Sequence, residues 1–354
     1  MTGPLAYLFS DALNRTQRST IAIYVLLVAA NVASWLWALA AFHDQPVLLG
    51  TAFLAYTLGL RHAFDADHIA AIDNVTRKLM QEGKRPVAAG LFFSLGHSTI
   101  VVGLSVAIAL TTATVQNEFG LFKIIGGVIG TLMSAFFLCV IAAANILVLI
   151  SVYRVFQTVR SSGRLVEDEL DLLLGNRGFL ARIFRRLFRL IDHSWQMYPL
   201  GLLLGLGFDT ATEVALLSMS ATQAGQGMPV WSILVLPALF TAGMMLMDTT
   251  YSIFMLRAYG WAFVKPIHKL YYNLTTTALS IGVALVVAGL ETLNLIGDQL
   301  GLVDRGGFWN FIGKLNDNFA VLGFMIVGIF IAAWLISCGI YLVKRYDDLG
   351  ASPT

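Results

Sequence analysis

Long apolar runs broken by short polar stretches dominate the chain. A membrane-spanning helix needs about 20 mostly apolar residues. On that criterion the pattern predicts about eight spans, at 20–42, 47–74, 86–112, 122–153, 198–222, 229–256, 270–293 and 319–343. Several exceed one bilayer crossing and are expected to tilt or to extend past the hydrocarbon. The first run is longer than the roughly 7–15 apolar residues of a signal peptide. It therefore reads as a retained span, despite the cleavage-like Ala38-Leu39-Ala40. The expected fold class is an all-α polytopic membrane protein, one membrane domain over 1–354, with the lipid bilayer as its surroundings.

Charge then orients the spans. Arg15 and Arg18 precede span one, and Arg77, Lys78, Lys84 and Arg85 follow span two. Eight arginines from Arg154 to Arg189 lie between spans four and five; Arg257, Lys265 and Lys269 follow span six, and Lys344 and Arg345 follow span eight. The alternate loops are acidic, with Asp44, Glu118, Glu291, Asp298, Asp304 and Asp317. Basic loops stay cytoplasmic, so both termini are expected there, in the cytoplasmic (inner) membrane of a bacterium. The loop 154–197 carries Phe179, Ile183, Leu187 and Leu190 at helical spacing among arginines. That pattern fits a basic amphipathic helix lying on the membrane surface rather than a nucleic-acid contact.

Composition narrows the chemistry. The chain is 57% hydrophobic and 12% charged, where soluble domains are about 25% charged. Its two cysteines, Cys139 and Cys338, lie far apart in apolar runs and make no thiolate metal motif. No Walker A sequence is present.

Span two holds Arg61-His62-Ala63-Phe64-Asp65-Ala66-Asp67-His68, five chargeable groups in eight residues. An ionised group near the middle of a membrane helix costs roughly 2.5–3.5 kcal/mol. On an ideal helix His62, Asp65 and His68 are three apart and share a face. Imidazole, carboxylate and imidazole together form a transition-metal site, whereas Mg or Ca would call for oxygen ligands alone. Asp67 points roughly 140° from His62, where it can pair with Arg61 or orient a ligating imidazole. Asp73 and Asn74 further along form an exit step or a solvated helix end.

Other spans supply partners: Ser94, His97, Ser98 and Thr99 in span three, Asp209, Thr210, Thr212 and Glu213 in span five, Asp248, Thr249 and Thr250 in span six. Asp65, Asp67, Asp209, Glu213 and Asp248 are intramembrane carboxylates with Arg61 as the one fixed positive charge, and a divalent cation accounts for the imbalance. Met244, Met245 and Met247 read as packing. A short repeat is also visible. Gly59-Leu60 with Phe64-Asp65 in span two matches Gly205-Leu206 with Phe208-Asp209 in span five, and Phe93 to His97 matches Phe240 to Met244. Spans two and three would then relate to five and six as an inverted repeat, with the site between the halves.

These motifs resemble those of the NiCoT family of nickel/cobalt transporters. The likeness lies in RHAFDADHI (Arg61 to Ile69), FSLGHST (Phe93 to Thr99), LGFDTATE (Leu206 to Glu213) and GMMLMDT (Gly243 to Thr249). It covers nearly the whole chain and is nearest to the hydrogenase-associated branch of high-affinity nickel permeases. The resemblance implies high-affinity secondary uptake of Ni²⁺, with Co²⁺ as second substrate, by one polypeptide with no ATPase subunit and no resident cofactor. It implies that His62, Asp67 and His68 are essential. Since helix arithmetic turns Asp67 away from His62, the two readings together predict a distorted helix here. One departure stands in span six, where the family pattern DTxD has Tyr251 in place of its second acid.

On these assignments the metal meets His62, Asp65, Asp67 and His68, with His97 closing the site. Asp209, Thr210, Glu213, Asp248 and Asp73 line the path or couple it to protons, and Arg61, Ser94 and Thr249 support from behind. The alternatives are an intramembrane metal-dependent enzyme and a divalent-metal exporter on the same site. The spacing is not HExxH and no Ser/His or Cys/His pair stands out, which disfavours the enzyme.

Overall fold

The computed structural model describes residues 4–110, 128–143, 145–146, 149–150, 153, 191–206, 211–262, 266–302 and 306–344. Among these residues all regular structure is helical. The helices are α1 (Pro4–Phe42), α2 (Pro46–His62), α3 (Ala66–Gln81), α4 (Ala89–Leu110), α5 (Val128–Ala143), α6 (Met197–Leu204), α7 (Ala211–Gly225), α8 (Val230–Ile233), α9 (Val235–Ala262), α10 (Pro266–Gln299), α11 (Gly307–Asp317) and α12 (Phe319–Lys344).

Four stretches are long and apolar enough to cross a membrane singly: Thr16–Phe42, Ala89–Leu110, Val230–Tyr259 and Thr277–Gln299. Two bent pairs bring the number to six, α2 with α3 at 49° and α11 with α12 at 73°. The eight spans read from the sequence are thus matched by four to six among the described residues. The stretch expected at 122–153 is represented by the shorter α5, and that at 198–222 is divided between α6 and α7. Apolar side chains on the outside of α1, such as Ile21, Val25 and Leu36, are more than half exposed. A continuous apolar outer face of this kind belongs against lipid.

Pro46 opens α2 at a position where its missing N–H is no loss. Gly83, at φ 74°, closes α3: the Lys84 amide reaches back to the Leu79 carbonyl at 2.9 Å, the 6→1 bond of a Schellman end. Past that end Lys78 donates to the Ile191 carbonyl at 2.6 Å, and Lys84 lies 3.6 Å from Asp192. The last residues of the basic loop are therefore pinned to α3. Residues 154–190, where the amphipathic helix is expected, lie outside the described residues.

Helix α9 is central and packs against α1, α2, α3 and α4, while α4 packs on α6. Two of these contacts share a pattern. A Cβ on Gly59 of α2 would collide with the Phe240 carbonyl of α9, and one on Gly243 would meet the Tyr56 carbonyl at 2.8 Å. Likewise, a Cβ on Gly201 of α6 would collide with the Phe93 carbonyl of α4, and one on Gly96 with the Tyr198 carbonyl. Tyr-x-x-Gly faces Phe-x-x-Gly both times, at backbone contact that only glycine permits. The contacts equate Gly59 with Gly201, one helical turn before the Gly205 register to which the sequence alone points.

Candidate metal centre

The centre forms where span two breaks. His62 ends α2, residues 63–65 leave the helix, and α3 restarts at Ala66 with Asp65 extended (φ −63°, ψ 143°) as its N-cap. Arg61 to His68 contains no glycine or proline. The break is held from outside: Gly323 of α12 lies against the Phe64 carbonyl, and Phe324 stacks on Phe64 with ring centroids 4.1 Å apart. The expected distortion is present, and it turns His62 and His68 toward each other from two helices. Their ring centroids are 4.6 Å apart.

His97 of α4 completes a triangle, 4.9 Å from the His62 ring and 4.7 Å from the His68 ring. One ligand atom from each of the three imidazoles lies within 4.8 Å of the others, and all three residues are buried. The Nε2 atoms of His62 and His97 are 3.0 Å apart. Glu213 Oε1 is 2.8 Å from His97 Nε2 and 3.8 Å from His62 Nε2. Two ligands at right angles on a metal, each about 2.1 Å away, stand about 3.0 Å apart, and at the tetrahedral angle about 3.4 Å. The His62–His97 and His97–Glu213 pairs are thus near the spacing of neighbouring corners in a coordination shell, and the His62–Glu213 pair at 3.8 Å is wider.

Carboxylates hold the rings from behind. Asp65 Oδ2 lies 2.6 Å from His62 Nδ1, and the Thr212 hydroxyl lies 3.0 Å from the same nitrogen. Asp248 places its oxygens 3.3 and 3.4 Å from His68 Nδ1. A carboxylate on Nδ1 fixes the tautomer and leaves Nε2 free for metal. His68 Nε2 has no hydrogen-bond partner among the described residues. Ser94, one turn before His97 on α4, donates to the Gly90 carbonyl at 2.5 Å. Phe240 lies 5.4 Å from the His62 ring and Phe93 4.8 Å from that of His68.

The backbone contributes as well. The α2 C-terminus presents the negative end of its dipole, which favours a cation. Glu213 lies in the first turn of α7 and Asp67 in that of α3, where a carboxylate offsets the positive end.

His62, Asp65, His68, His97, Glu213, Asp248 and Ser94 thus come together. Asp65 stands behind His62 instead of beside it, because the break replaces the shared helical face. Asp67 is half-buried; its Oδ1 accepts the His68 amide at 2.8 Å, and its charge reaches both His62 and His68. Arg61 is exposed. Thr249 is buried with no partner for its hydroxyl among the described residues. Asp73 belongs to a separate polar cluster further along α3, and Asp209 and Thr210 lie outside the described residues. Thr212, among the span-five partners expected from the sequence, joins the centre; sequence reasoning did not assign Phe93 or Phe240 to it. The doubled Phe-x-x-Gly was the available signal for the two phenylalanines.

Comparison with known proteins agrees with this geometry. The family model NicO, described as high-affinity nickel-transport protein, matches residues 48–340. A high-affinity nickel transport protein of Cupriavidus necator is 59% identical over 344 residues, 97% of each chain. The nickel transporter NicT of Mycobacterium tuberculosis is 45% identical, covering 92% of this chain and 89% of its own. A cobalt transport protein, NhlF of Rhodococcus rhodochrous, is 38% identical, covering 91% and 92%. No solved structure matches.

Proposed function

The chain belongs to the NicO family of high-affinity nickel-transport proteins, and from that premise we propose how it works. It takes up Ni²⁺ with high affinity as a multi-pass membrane transporter, with Co²⁺ as second substrate. The observation that carries this reading is the convergence of three buried imidazoles with the Glu213 carboxylate inside apolar helices. Imidazole nitrogen suits Ni²⁺ and Co²⁺, and the buried carboxylates offset the ion's charge.

The protein sits in the cytoplasmic membrane with both termini inside, supported by the placement of its basic clusters. The loop 154–197 rests on lipid headgroups. The doubled Tyr-x-x-Gly/Phe-x-x-Gly contact supports spans two–three and five–six as an inverted repeat with the metal centre between them. His62, His68, His97 and Glu213 bind the metal; Asp65, Asp248, Thr212 and Ser94 orient them, and Asp67 draws the cation to the α3 end. The membrane potential drives import: two charges crossing 100 mV release about 4.6 kcal/mol.

Radiotracer accumulation tests this reading. Cells expressing the protein are expected to accumulate nickel from nanomolar solution, with excess cobalt competing and magnesium having no effect. Accumulation no higher than in cells with empty vector, or release of preloaded nickel, contradicts import.

A further inference from the structure

A second polar cluster lies inside the helices, beyond the histidines. Asp73 follows His68 on α3 by about 7.5 Å along the helix axis and is 1% exposed. Its Oδ1 accepts the Tyr259 hydroxyl of α9, and its Oδ2 accepts the Ser280 hydroxyl of α10 at 2.7 Å. Tyr251 of α9 lies between Asp248 and Tyr259 in sequence, is 7% exposed, and has no hydrogen-bond partner for its hydroxyl among the described residues. The charge of Asp73 acts on that hydroxyl. Ser252, beside it, is equally buried and unpartnered among the described residues.

Buried hydroxyls are nearly always bonded, so the unpartnered Tyr251 hydroxyl near Asp73 and Tyr259 points to a ligand or water arriving there. Arg77 follows Asp73 by one turn and is also buried; among the described residues its hydrogen-bond acceptors are neutral, Thr277 Oγ1 at 3.0 Å and Asn74 Oδ1 at 3.1 Å.

We propose that Asp73, with Tyr251, Tyr259 and Ser280, forms a second cation station on the cytoplasmic side of the histidine centre. The inference rests on reading that centre as the import site. Its donors are all oxygen, which hold Ni²⁺ less tightly than imidazole does. The fixed positive charge of Arg77, one turn further along α3, acts on Asp73 and weakens the hold further. Metal leaving the histidine centre thus passes through a weaker site before release, instead of going directly from a tight site to the cytoplasm.

Equilibrium binding of ⁶³Ni²⁺ to the purified full chain in lipid nanodiscs tests this. The wild type is expected to bind one tight equivalent and a second, weaker one. Asp73→Asn is expected to lose the weak equivalent and keep the tight one. His97→Ala is expected to do the reverse. In proteoliposomes Asp73→Asn lowers the maximal uptake rate by at least about tenfold with KM nearly unchanged, the signature of a step after binding. An Asp73→Asn protein that keeps both equivalents, or loses both, overturns the station. Should that variant fail to fold, Ser280→Ala serves in its place: weak binding about tenfold weaker supports the proposal, and unchanged weak binding overturns it. The absence of any His97-dependent tight equivalent would instead undo the import reading.

Discussion

Nickel accumulation from nanomolar solution falls at least about 100-fold when His97 is replaced by alanine at unchanged membrane level. Residues that merely orient a metal ligand are worth about 10–100-fold in affinity, and His97 is placed to be a ligand itself. Its Nε2 is 3.0 Å from that of His62 and 2.8 Å from Glu213. It also comes from α4, so its loss opens a side of the centre that span two does not build. His97→Gln separates ligation from packing, because it fills most of the space and still donates to Glu213. It is expected to restore stability without restoring uptake. Uptake by His97→Ala within threefold of wild type would remove His97 from the coordination shell.

Glu213→Gln is expected to have the second-largest effect, a loss of about 100-fold in apparent affinity with normal folding. The change keeps the volume and removes the negative charge. Glu213 Oε1 is the carboxylate oxygen that reaches both His97 and His62. A buried divalent cation held by neutral imidazoles alone has no compensating charge in the first shell, and burying unpaired charge is strongly unfavourable. Asp65→Asn is expected to cost less, since an amide oxygen can still accept from His62 Nδ1. Uptake measured against nickel concentration distinguishes the two: the Glu213 variant shifts the curve further. Equal shifts would mean that both carboxylates act from behind the rings.

The chemistry of the centre was legible in the sequence because intramembrane charge is expensive. Histidines and carboxylates in apolar runs could be picked out one by one: His62, His68, His97, Glu213 and Asp248 all converge. Their geometry was less legible. Treating span two as a straight helix sets His62, Asp65 and His68 on one face. The chain instead breaks after His62, with no glycine or proline to announce it and only the Asp65 N-cap as a local cue. Gly323 and Phe324, some 260 residues later, pack against Phe64 at the break. A tertiary contact of that range leaves no periodicity to read. Consequently Asp65 moves behind His62, and Thr212 joins it there. The same holds for Asp73: its spacing on α3 was readable, but its partners on α9 and α10 were not.

X-ray absorption at the nickel edge tests the central claim most directly, on the nickel-loaded protein and on His97→Ala loaded to the same level. The wild type is expected to show nitrogen and oxygen neighbours at about 2.1 Å, with outer-shell scattering from at least two imidazole rings and one ring fewer in the variant. A shell of oxygen alone, or a spectrum identical in the two proteins, would contradict it.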